Sequence, residues 1–205
     1  MNKLPSFRLA SRILCLLPLL LLGNAARATI YHFDTMMSGA AEVPANASPG
    51  TGVADIYFDD ANQLMRVIVS FSGLLGTTTA SHIHAATALA NTGTAGVATQ
   101  TPTFAGFPLG VTAGSYDHVF DMTLASSFNA SYVTANGGVS AASAALLNAM
   151  LAEKAYLNVH STFAPGGEIR GFLHGAVPDT GSTLLFLSAS VTALAVIGRR
   201  RPLAN

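Results

Sequence analysis

Half of the 205 residues are hydrophobic and only a tenth are charged, ten basic against ten acidic. That neutral total hides an asymmetry: seven of the ten basic residues lie near the two ends, and between Thr29 and Ala176 only Arg66, Lys154 and Arg170 face nine carboxylates. An acidic middle of this kind argues against nucleic-acid binding, which draws its affinity from Lys and Arg on phosphates. The lone cysteine, Cys15, allows no disulfide within the chain, so the fold must rest on its core.

The first 28 residues read as a secretory signal peptide. Lys3, Arg8 and Arg12 precede the short apolar run Ile13 to Leu22, and Ala26-Arg27-Ala28 is a small-x-small cleavage site. The run falls short of the roughly 20 apolar residues that a membrane span needs.

The middle reads mostly as strands. "TIYHFDTMM" alternates, and "GVADIYFDD" puts Val53, Asp55, Tyr57 and Asp59 on one face with Ala54, Ile56 and Phe58 on the other. "DDANQ" has turn residues, so "LMRVIVSFSGL" should close a hairpin, with Asp59 and Asp60 as solvated turn carboxylates. "SHIHA" is a short strand. From Thr87 to Gly114 the chain is rich in Gly, Thr, Ala and Pro, and is expected to be a long loop with one brief strand near Val97. "SYDHVFDMTL" alternates again.

One helix is expected, capped by Ser140, with Leu146, Leu147, Met150 and Leu151 as its apolar stripe. "YLNVHS" and "EIRGFLHG" follow as two strands joined by "TFAPGG". The fold class is therefore all-β: an antiparallel Greek-key sandwich or barrel with one short helix, spanning residues 29–176.

Residues 177–205 form a third segment. Val177, Pro178, Asp179 and Gly181 open it, an apolar run follows over residues 184–198, and Arg199-Arg200-Arg201 close it. A helix there could hold the chain in a membrane, with the arginines on the cytoplasmic side. The layout resembles PEP-CTERM carboxy-terminal sorting signals. That resemblance implies exosortase-type membrane machinery as a partner, and an address at the cell envelope of a Gram-negative bacterium or outside it.

Three pieces of the middle, "SGAAEVPANASPGTGVADIYFD", "SGLLGTTTASHIHAA" and "AYLNVHSTFAPGGEIRGFL", occur in the order that marks the CHRD domain, and the chain resembles that family from about Met37 to Leu173. The resemblance implies an extracellular-type module, presented on a surface or in a matrix against an unnamed polymer or protein, with no catalysis required.

Six histidines remain to be weighed. His82 and His84 share one strand face, and His160 shares a face with Tyr156 and Asn158. If the strands pair, three imidazoles gather on one patch, a donor set that suits copper or zinc, with copper first in intrinsic affinity. The pattern is distantly similar to Cu,Zn superoxide dismutases. That likeness implies an alternative function, a copper-binding or superoxide-processing domain, with Arg170 as a catalytic cation drawing an anion inward. Glu168 and Arg170 also share a face by period, so they could pair with each other, and Glu42 could orient a ring or partner Arg170. His32 and His174 read as surface residues. The Asn-Ala-Ser triplets at Asn46 and Asn129 fit a glycosylation pattern that a bacterial address makes idle, and no hydrolase nucleophile has a supporting context.

Overall fold

A computed structural model describes residues 29–176; the leader 1–28 and the sorting-type segment 177–205 lie outside the described residues. Eight strands build the domain: β1 (Ile30–Ser38), β2 (Thr51–Asp59), β3 (Leu64–Ser72), β4 (Thr78–His84), β5 (Gly114–Asp121), β6 (Tyr156–Ser161), β7 (Ile169–Phe172) and β8 (His174–Ala176). They form one sheet in the order β4-β6-β7-β1-β2-β3-β5, with β8 paired to β1 beside β7. Every ladder is antiparallel. The sheet curls into a half-barrel, so the all-β expectation holds.

The alternation of β2 explains its place. Gly52, Ala54, Ile56 and Phe58 are buried while the residues between them meet solvent, the pattern of a strand with one covered face. β1, β3 and β5 add Phe33, Met37, Met65, Val67, Val69, Phe71, Tyr116 and Phe120 to the same inner face. From β4, β6 and β7 come Ile83, Leu157, Val159 and Ile169, making one continuous core. Asp59 accepts from the backbone of Ala61 and Asn62, so the hairpin between β2 and β3 is built as its sequence suggests.

Two helices are present where one is expected. α2 (Val139–Leu151) buries Ala142, Leu146, Ala149 and Met150 against the core, but its cap is Gly138, and Ser140 lies inside it. Gly138 enters with φ 130°, a conformation open to glycine and strained for Ser. The helix missed by periodicity, α1 (Ala130–Asn136), has no buried residue and hence no apolar stripe to read. Its signals are terminal instead: Asn129 Oδ1 accepts from Ser131 N–H, and Gly137 stops it at φ 82°. Among the described residues, no helix is long and apolar enough to cross a membrane.

"EIRGFLHG" also splits. Leu173 leaves the ladder to donate its N–H to Ala155 O, which separates β7 from β8. Near Val97 there is a single bridge to His84, not a strand.

Candidate metal centre

The ladders carry three strands' residues onto one face. In register, His82 lies opposite Asn158 and His84 opposite Tyr156 across β4 and β6, while Ala80 opposes His160. Across β6 and β7, Asn158 opposes Arg170 and Tyr156 opposes Phe172. Facing partners point to the same side of a sheet, so these residues share the face turned away from the apolar core. Loops roof it over: His82, His84, Asn158 and Arg170 are all buried, and His160 is half-buried.

The three histidines meet there. One ring nitrogen from each of His82, His84 and His160 lies within 4.8 Å of the other two. His82 Nδ1 and His160 Nε2 are 3.3 Å apart.

Three backbone carbonyls decide which nitrogens are free. His82 Nε2 donates to Pro102 O at 2.5 Å, His84 Nδ1 to Ala95 O at 2.9 Å, and His160 Nδ1 to Pro165 O at 2.9 Å. In a neutral imidazole the other nitrogen then carries a lone pair. Those nitrogens are His82 Nδ1, His84 Nε2 and His160 Nε2, and the first and last of them are the pair 3.3 Å apart. A carbonyl behind each ring is the usual outer shell of a metal-binding histidine. Without a cation, lone pairs oppose each other at 3.3 Å, and His84 Nε2 is buried with no hydrogen-bond partner.

Electrostatics favours the neutral rings. Burial pushes the His82 and His160 imidazoliums below the usual histidine range, and it pushes His84 furthest, down to about 4. Neutral imidazole is the form that binds metal.

Around the rings the face is held by a second cluster. His84 stacks on Tyr156 with centroids 4.8 Å apart, and the Arg170 guanidinium sits 4.7 Å from the same ring's centre. Since β6 lies between β4 and β7, Tyr156 stands between His84 and Arg170. Arg170 is 2 % exposed and donates to Ala41 O and Gly93 O, with Glu42 3.8 Å away. Of the two roles open to Glu42, pairing with Arg170 is the one seen. Burial raises the Glu42 carboxyl to about 7, even though Arg170, Val43 N–H and Asn158 pull the other way.

Glu168 goes elsewhere, and does not pair with Arg170. It accepts from Ser48 Oγ, Leu75 N–H, Gly76 N–H and Ser161 Oγ, which ties two loops and the end of β6 to the start of β7. Burial by itself would raise its pKa, and the four donors hold it below the ordinary carboxylate value. His32 and His174 are surface residues, at 41 % and 53 % side-chain exposure, paired with Asp55 and Glu153. His118 packs between the rings of Tyr116 and Phe120, away from the cluster.

Residues 33–173 match the CHRD domain, well over half of the chain. The chain belongs to the CHRD domain family. No curated protein and no solved structure matches it. Within this CHRD domain, sequence reasoning missed the roles of Tyr156 and Asn158 and of the three carbonyls. The first two could have been found, because the period that singles out His160 puts both on its side. The carbonyls come from aperiodic loops and leave no such trace.

Proposed function

We propose that this CHRD domain is an exported, envelope-associated module that holds a first-row transition-metal ion, copper ahead of zinc, on His82, His84 and His160. The observation that carries the reading is the meeting of three rings, one nitrogen of each within 4.8 Å of the others, with a backbone carbonyl bound to one nitrogen of every ring. Three neutral imidazoles and no thiolate or carboxylate make a borderline donor set, for which copper has the highest intrinsic affinity. Such an ion would supply Lewis acidity or one-electron chemistry. The chain's own residues orient the rings and keep them neutral. Arg170 is committed to two carbonyls and screened by Tyr156, which favours a holding role for it over guiding an anion, so the reading requires no catalysis.

The test is metal content after dialysis against copper or zinc. One ion per chain is expected, lost in the His82→Ala, His84→Ala double variant, with a higher melting temperature for the loaded protein alone. Equal, substoichiometric metal in both proteins would reject the site.

The address rests on the leader and on the segment opened by Val177, Pro178, Asp179 and Gly181. Truncation before Val177 is expected to move the protein from envelope to medium, and unchanged fractionation would reject the sorting role. A contact role at the surface is a second reading, supported by the outward faces of β1 and β2. There Met36, 83 % exposed, lies directly opposite Val53, 48 % exposed. Replacing both with Ser and Thr should weaken retention on envelope preparations if that pair is used.

A further inference from the structure

Asn158 sits at the centre of the covered face, and its hydrogen bonding is half complete. Its Nδ2 donates to Glu42 Oε1 at 2.9 Å. Its Oδ1 is buried and has no partner. The carboxylate dictates which way the amide faces, because an ionised carboxylate only accepts and therefore draws the NH2 end. Gly167 supports that arrangement from behind. It holds φ 138°, and a Cβ there would run into Asn158 Nδ2 and Glu42 Oε1. The acceptor left over belongs to a side chain directly across from His82 and two residues before His160 on the same face.

Two side-chain atoms are orphaned and buried among the described residues, His84 Nε2 and Asn158 Oδ1, and both belong to this one face. A buried acceptor without a donor costs about 1–3 kcal/mol, so native proteins leave few, and they mark sites where water or a ligand completes the bonding. The metal on three histidines answers for the first orphan. It also leaves a coordination position open.

We propose that Asn158 is the positioning residue for the ligand at that open position: its Oδ1 accepts a hydrogen bond from a small protic ligand on the ion, water or another O–H or N–H donor. The inference rests on the three-histidine reading and adds selectivity to it. A ligand with a proton to give meets an acceptor, whereas an aprotic anion such as azide meets the negative end of an amide dipole in a site of low dielectric. Protic ligands are retained and aprotic anions are disfavoured.

The experiment uses the full chain loaded with Cu(II) at pH 8, where Glu42 is ionised. Copper content is measured first, then azide affinity by optical titration, with pulsed EPR in D2O reading the exchangeable proton of the copper ligand. Wild type is expected to show one copper, an exchangeable proton and weak azide binding. Asn158→Leu should keep its copper and bind azide at least fivefold tighter. Glu42→Gln serves as the second variant, since it changes almost no volume. With an amide at position 42, Asn158 is free to turn its NH2 toward the ligand, and azide should again tighten while copper content stays at one. Full copper with the same azide affinity in all three proteins would overturn the role of Asn158 alone. Less than one copper in wild type would remove the three-histidine reading and this inference with it.

Discussion

The two halves of the sheet are built on opposite terms. In β1, β2, β3 and β5 one face is covered and the other is wet, and side chains obey strict alternation, as in β2. In β4, β6 and β7 both faces are covered. β6 is buried at every position but His160, and β4 from Ser81 to His84. The difference lies in what the second face must then carry. A wet face tolerates almost anything, whereas a roofed polar face must satisfy each hydrogen bond internally. Here Glu42, Asn158, Arg170 and three loop carbonyls do so, and the atoms left unsatisfied are those that suit a ligand.

The first way to break the contrast is at the buried carboxylate of Glu168. Glu168→Ala removes the acceptor shared by Ser48 Oγ, Leu75 N–H, Gly76 N–H and Ser161 Oγ. Several buried donors are orphaned at once, and the expected loss is on the order of 4 kcal/mol in urea unfolding. Glu168→Gln should recover part of it. A loss below about 1 kcal/mol would mean that the loops are held by other contacts.

The same contrast accounts for what could be read from the sequence. The strands of the wet half announce themselves by period two, and β2, β3 and β5 lie close to where alternation puts them. β6 also falls on "YLNVHS", because the three histidines single out its polar side. That this side is roofed could not be read: residues 85–113 and 39–50 are Gly-, Ala-, Thr- and Pro-rich and carry no periodicity. Arg170 and Glu168 show the consequence. Period two puts them on one side of a strand, yet Arg170 answers to Ala41 and Gly93 and Glu168 to Ser48, Leu75 and Gly76, and only the loop path decides that. α1 escaped for a related reason, since a seven-residue helix that leans on the core only through half-buried Tyr132 and Val133 shows no repeating stripe. The histidine cluster was legible as a possibility, because His-x-His and a later strand histidine need only one ladder to meet.

A second test exploits the buried carboxyl. Glu42 ionises near 7 in the fold against about 4.5 in the open chain. Between those values the native state keeps a proton that the unfolded state has released, so this group's contribution is complete at low pH and is lost as pH rises through 7. His84, lowered to about 4, runs the other way: its contribution is present above the ordinary histidine value and is lost as pH falls toward 4. The difference between Glu42→Gln and wild type cancels the histidine. The variant should gain roughly 3 kcal/mol relative to wild type between pH 4 and pH 8. A flat difference would show that Arg170 fully compensates the carboxylate.

Gly167→Ala should cost roughly 2 kcal/mol, because its φ of 138° is strained for alanine and the added carbon displaces the Asn158–Glu42 pair. Gly166→Ala next to it is the control, since a Cβ there meets nothing.

The smallest effect belongs to the wet face and is the sharpest check on the contrast. Met36 and Val53 oppose each other across β1 and β2, far more exposed than any residue of the roofed face. A Met36→Ser, Val53→Thr double variant loses little burial and retains a β-branched residue, so urea unfolding should move by less than about 0.5 kcal/mol. Copper content should not change, because β1 and β2 pair with neither of the histidine strands, β4 and β6. If stability instead fell by more than about 1 kcal/mol, the outward face would be covered in the purified protein itself, by a second copy of the chain acting as partner. The two halves would then differ only in what roofs them: the chain's own loops over the histidines, and a partner over Met36 and Val53.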